Sequence, residues 1–164
     1  MVYHDDLLDQ AFDLATRNPV SPTQADLRRA VSGAYYALFH LLINDAVLLW
    51  QLERSRMALS RNFDHGFMVT ASGKISDSRL FPFTGEDHNV VNHLKIVAEA
   101  FVQLQEKRHI ADYDNGTFWT PTEALAEVST AFNAFASWKR IKEESIAQDY
   151  LASLLIKPRP KARQ

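Results

Sequence analysis

Ser21-Pro22-Thr23-Gln24-Ala25-Asp26-Leu27-Arg28-Arg29-Ala30-Val31-Ser32-Gly33-Ala34-Tyr35-Tyr36-Ala37-Leu38-Phe39-His40-Leu41-Leu42-Ile43-Asn44 is the stretch on which the reading of the fold turns. Leu27, Val31, Ala34, Leu38 and Leu42 recur every three or four residues, and Tyr35, Phe39 and Ile43 widen the stripe. That spacing belongs to a helix with one broad buried face. Ser21 and Gln24 have the spacing of a capping box, and Pro22 suits a first helical turn, where its missing N–H leaves no bond unmade. A helix is therefore predicted from Pro22 to at least Asn44. Ser32, Gly33, Ala34 and Ala37 are small enough to let a neighbour approach closely, which places this helix at the centre of a bundle.

The flanking sequence supplies that bundle. Asp5–Thr16 carries Leu7, Leu8, Ala11, Phe12 and Leu14 at helical spacing and is stopped by Asn18-Pro19. A third helix is predicted over Leu48–Phe63, with Gly66 as its stop. Ser72–Asp87, holding Gly73, Pro82 and Gly85, reads as a loop pinned by Leu80, Phe81 and Phe83. A fourth helix spans His88–Tyr113 and is broken by Asp114-Asn115-Gly116. Thr120-Pro121-Thr122-Glu123 is a second capping box with proline inside it, and the fifth helix runs from there towards Ile156. Strand-like alternation is nowhere sustained. The expectation is an all-α, antiparallel bundle of four to five helices, one domain over 1–156, with 157–164 a basic disordered tail.

Composition narrows the chemistry. The 164 residues contain no cysteine, which removes disulfides, thiolate zinc sites and cysteine nucleophiles. Four of eighteen Lys and Arg lie in the last eight residues, so the other 156 carry 14 basic against 20 acidic groups, a net of −6. A body of that charge repels duplex DNA at long range, although a local basic patch can still hold a nucleotide or a short nucleic acid. No apolar run approaches the roughly 20 residues of a membrane span, and a soluble cytoplasmic protein without membrane contact is expected. The six histidines show no His-Glu-x-x-His spacing and no pair of Glu-x-x-His motifs of the kind that di-iron bundles use, so no metal site and no cofactor are expected. Nucleophile elbows and phosphate-binding glycine loops are absent as well.

Two segments stand out by content. One is the Arg28–His40 helix, in which arginines, aromatics and small residues are interleaved. The other is Arg108-His109-Ile110-Ala111-Asp112-Tyr113, the dense end of the fourth helix. Arg108 and Asp112 share a face, with the basic residue first, which is the weaker order for a surface pair. Surface stability alone is a poor reason for them. His109 and Tyr113 share the adjacent face. Arg61 and His65 would project together if the third helix persisted that far, and His65 would then sit in a last turn that favours its protonated form.

Ala34-Tyr35-Tyr36-Ala37-Leu38-Phe39-His40, then Arg108-x-x-Ala111-Asp112-Tyr113, then a capped last helix, resembles the HEPN domains, the higher-eukaryote and prokaryote nucleotide-binding family of helical bundles. The resemblance covers most of 21–145, and Arg61-Asn62-Phe63-Asp64-His65-Gly66 is similar to the middle of some bacterial relatives. It implies an RNA- or nucleotide-handling protein, dimeric, of the toxin–antitoxin or phage-defence kind, with a nucleotidyltransferase-like antitoxin as a partner. It also implies an arginine followed after about four to six residues by a histidine, holding phosphate and moving protons for metal-free attack by a ribose 2′-OH. Arg108 matches the arginine. No histidine stands at the required distance, where Asp112 and Tyr113 are found instead.

The expectation is a non-catalytic or weakly catalytic module that binds RNA, a nucleotide or a partner protein through Arg28, Arg29, Arg108, Asp112 and Tyr113. The alternative is a metal-independent endoribonuclease using Arg61 and His65, or Arg108 and His109. Trp50, Phe67, Trp119 and Trp138, near element ends or off the main stripes, are expected to leave an apolar patch for a homodimer that places Arg108 in a cleft between subunits.

Overall fold

In a computed structural model that describes residues 2–77, 83 and 85–157, the chain forms α1 (Tyr3–Thr16), α2 (Gln24–Leu48), α3 (Arg56–Ser60), α4 (His65–Gly73), α5 (His88–Tyr113), α6 (Pro121–Ile141) and α7 (Ser145–Ser153). No strand occurs among the described residues. The architecture is all-helical, with seven α-helices among the described residues where four to five were expected.

The centre is α2, which packs against α1, α5 and α6, while α5 and α6 also pack on each other and α4 lies on α5. Leu27, Val31, Ala34, Leu38 and Leu42 are fully buried, as the stripe predicted. A Cβ on Gly33 would stand 3.2 Å from the Cβ of Ala11, so its absence lets α1 lie close on α2. By length and composition α2 is also apolar enough to cross a membrane, contrary to the reading of the sequence. Of its most apolar window 56% is buried inside the bundle, which accounts for that character without a bilayer.

The boundaries follow local capping chemistry. The end of α5 at Tyr113 and the box at the start of α6 stand where the sequence put them. Thr120 Oγ1 accepts from the Glu123 N–H at 3.2 Å, and Glu123 Oε2 accepts from the Thr120 N–H at 2.9 Å. The start of α2 differs: Thr23 caps it, accepting from the Asp26 N–H, and Ser21 instead donates its N–H to Asn18.

The expected third helix over 48–63 does not form. Instead α2 ends at Leu48, and Arg56 donates from Nε to the Trp50 carbonyl at 3.0 Å and from a terminal nitrogen to that of Leu48 at 3.3 Å. A basic side chain thus closes a helix C-terminus, and only a 3₁₀ turn and the short α3 follow. Gly66 stops nothing: Asp64 caps α4, accepting from the Phe67 N–H at 2.8 Å, and Gly66 lies inside the first turn. Ser72 and Gly73 are helical rather than loop, and Lys74–Ser76 adds a 3₁₀ turn. Leu80 and Phe81 lie outside the described residues, as do 158–164 of the expected tail.

The last helix is also interrupted. Lys142, Glu143 and Glu144 separate α6 from α7, and the bend lets α7 bury Ile146, Ala147, Tyr150 and Leu151. Tyr150 is fully buried with its hydroxyl 2.8 Å from that of Ser72 in α4.

Candidate functional site

Three elements converge on the last turn of α5. From α2 come Ser32, Tyr35, Tyr36 and Phe39, spaced to share one helix face. From α5 come Arg108 and Asp112, and His65 is the first residue of α4. The Arg108 guanidinium carbon lies 5.3 Å from the centre of the Tyr35 ring and 5.9 Å from that of Tyr36. Its NH1 stands 3.6 Å from Asp112 Oδ2, and only 11% of its side chain is exposed. Ser32 Oγ donates to the other Asp112 oxygen. The i,i+4 pair read from sequence therefore forms, on a face turned towards α2 rather than on the open surface.

Arg108 is held mostly by π faces and one long ion pair. A guanidinium carries five N–H donors, yet Arg108 donates no hydrogen bond among the described residues, and its Nε is buried without a partner. A buried donor left unsatisfied costs about 1–3 kcal/mol. Packing alone gives no reason to bear that cost.

His65 faces the same cluster. Its ring stacks on Phe39 at 4.1 Å and 12°, and Nδ1 lies 2.5 Å from the Tyr35 hydroxyl. Burial pulls the imidazole below its ordinary pKa, and the Arg108 charge pulls in the same direction against the weaker opposing effect of Asp64. His65 is therefore neutral at pH 7. It opens a helix instead of closing one, so the dipole there opposes protonation, which corrects the last-turn reading. Burial holds the Tyr35 phenol far above its ordinary pKa, against the opposing pull of Arg108. The phenol keeps its proton, and the contact serves two tautomers: either the phenol donates to Nδ1 and the imidazole hydrogen sits on Nε2, or Nδ1–H donates to the phenol oxygen.

The remaining candidates fall elsewhere. Arg28 is committed to structure: NH1 donates to the carbonyls of Ala111 at 2.8 Å and Asp114 at 2.9 Å, and NH2 to that of Thr117 at 2.6 Å. It ties the end of α5 to the following loop, so the terminal nitrogens of this candidate phosphate ligand are engaged by backbone carbonyls. Arg29 is exposed, and so is Arg61, which closes α3. Asn62, Phe63 and Asp64 separate Arg61 from α4, so Arg61 and His65 do not share a helix face. His109 and Tyr113 do share one, with ring centres 5.0 Å apart and both side chains exposed. Among the described residues no group of three or more potential metal ligands comes together.

Ser32, which orients Asp112, escaped the sequence reading. Its signal was the i, i+3, i+4, i+7 spacing of Ser32, Tyr35, Tyr36 and Phe39. The expected aromatic patch also changes. Trp138 is fully buried and donates from Nε1 to Asp45 at 2.7 Å, and Trp119 is buried too, whereas Trp50 is half exposed. A run of exposed apolar side chains, Leu48, Leu49, Trp50, Leu52 and Met57, lies instead at the end of α2 and just beyond it.

Compared with protein-family models, with curated proteins and with solved structures, the chain returns no match, and its functional reading rests on this geometry and on the resemblance of its two motifs.

Proposed function

We propose that the protein is a HEPN-like helical module that binds a phosphate of RNA or of a nucleotide at the Arg108–His65–Tyr35 cluster, with little or no catalysis of its own. The observation that carries this reading is a nearly buried guanidinium that donates no hydrogen bond. A phosphate oxygen accepts such donors with charge assistance, and the Nε2–H of a neutral His65 adds another donor. Asp112 is the resident competitor: a phosphate entering here displaces the carboxylate from Arg108. With a short labelled RNA, Arg108→Ala is expected to weaken binding at least tenfold. Unchanged binding overturns the proposal.

One observation favours a second reading, a metal-independent endoribonuclease. His65, from another helix, comes beside Arg108, whereas no histidine follows Arg108 at the family's spacing. In the opposite hydrogen-bond sense, Nδ1–H donates to the Tyr35 oxygen and Nε2 is free to take a proton from a ribose 2′-OH. Incubation of RNA with the pure protein in EDTA decides between them. Cleavage that His65→Ala abolishes establishes the enzyme, and intact RNA supports the binding module.

The toxin–antitoxin or defence setting and a nucleotidyltransferase-like partner remain part of the proposal through the resemblance. A homodimer is proposed too, on different support: the exposed Leu48–Met57 surface. Tyr36 and Trp50 are 14 residues apart, about 20 Å at helical rise. A dimer through Trp50 therefore does not by itself put Arg108 in a shared cleft.

A further inference from the structure

Below the last turn of α5, on the face turned to α6, lies a cavity of about 230 Å³ that the Arg108 cluster does not use. Residues lining it include Lys107, Phe118, Trp119 and Glu127. Drug-sized ligands occupy about 300–1,000 Å³, so this space takes a single ring system.

The wall is unusually fixed for a loop. Gln24 donates from Nε2 to the Trp119 carbonyl at 2.7 Å and accepts from the Trp119 N–H at 2.9 Å, while Arg28 holds the Thr117 carbonyl. Between those anchors Phe118 is 79% exposed, held out rather than packed away. The Glu127 side chain is only 9% exposed, and Oε2 accepts from Gln103 Nε2 at 2.8 Å. Among the described residues Oε1 accepts no hydrogen bond; Lys107 Nζ is 3.8 Å away. A buried carboxylate with an open oxygen, an ammonium beside it and an exposed ring form a set that packing does not call for.

We infer that this cavity binds a guanine base. Guanine presents two adjacent N–H donors next to a carbonyl, the complement of a carboxylate next to an ammonium. Glu127 accepts from the ring N–H and the amino group, Lys107 donates to the carbonyl, and Phe118 covers the ring face. Adenine would set a ring-nitrogen lone pair against the carboxylate. Uracil flanks its one N–H with carbonyls, and cytosine offers a single donor group beside two acceptors. The inference does not rest on the phosphate reading, since a nucleoside carries no phosphate.

The experiment titrates the full chain with guanosine, adenosine, cytidine, uridine and free arginine, following heat and tryptophan emission, to which Trp119 in the cavity wall contributes. Guanosine is expected to bind at least tenfold more tightly than the other probes. Glu127→Gln should remove that preference, and Phe118→Ala should weaken guanosine at least threefold. Phe118 is exposed, so its variant retains the fold and decides the matter if Glu127→Gln does not fold. Absence of saturable binding at millimolar guanosine, equal affinity for all four nucleosides, or tighter binding of arginine overturns the inference. Unchanged RNA binding in Arg108→Ala with guanosine binding intact would sink only the phosphate reading.

Discussion

Asp112 and Arg108 set the balance of the cluster. Removing the carboxylate charge leaves the guanidinium with neither counter-ion nor hydrogen bonds, and breaking a largely buried pair is costly. Asp112→Asn is expected to lower stability in urea by about 1–3 kcal/mol, and phosphate in the buffer should restore part of it. An unchanged midpoint would mean that Asp112 does not hold Arg108. Proton linkage gives a second check. His65 and His40 both have pKa values lowered, chiefly by burial, relative to an ordinary histidine. The unfolded chain therefore takes up protons first as pH falls through about 6.5. Stability is full above that pH and declines below it, before the carboxylates titrate. Melting temperature should drop between pH 7.5 and 5.5, by less in His65→Gln. A flat or rising profile contradicts the burial of these rings.

At the level of elements, legibility depended on whether the signal was local. The Thr120–Glu123 box and the break after Tyr113 are complete within four or five residues, so they could be read directly. The end of α2 could not, because its cap is Arg56, eight residues past the last helical carbonyl, and nothing nearby marks it. Reading Gly66 as a stop passes over Asp64, which caps α4 from two residues earlier. The meeting of His65 with Arg108 lay beyond sequence reading altogether, since it requires the placement of α4 on α5. Arg28 shows the same limit, because a cation among aromatics looks like a ligand contact until its three carbonyl partners are seen. Arg28→Ala is accordingly expected to cost about 2–4 kcal/mol, from lost charge-assisted hydrogen bonds, and to speed amide hydrogen exchange across 115–119. Retained protection there would argue that the loop is fixed by other contacts.

For the whole molecule, the bundle stands on α2. Leu38 is fully buried among neighbouring helices, and Leu38→Ala should cost about 2–5 kcal/mol; a loss below about 1 kcal/mol would displace α2 from the centre of the fold. Association is a separate property of the Trp50 surface. Light scattering should report twice 18.7 kDa, and Trp50→Glu should return the monomer mass, whereas a parent chain monomeric across a hundredfold dilution contradicts the dimer. The central claim is that Arg108 binds phosphate in competition with Asp112. The most direct measurement is the affinity of one short labelled RNA for three chains at a single fixed salt concentration. Asp112→Asn should bind more tightly than the parent, and the parent more tightly than Arg108→Ala. If the three affinities coincide, or if Asp112→Asn binds most weakly, the cluster is a packing device and the account fails.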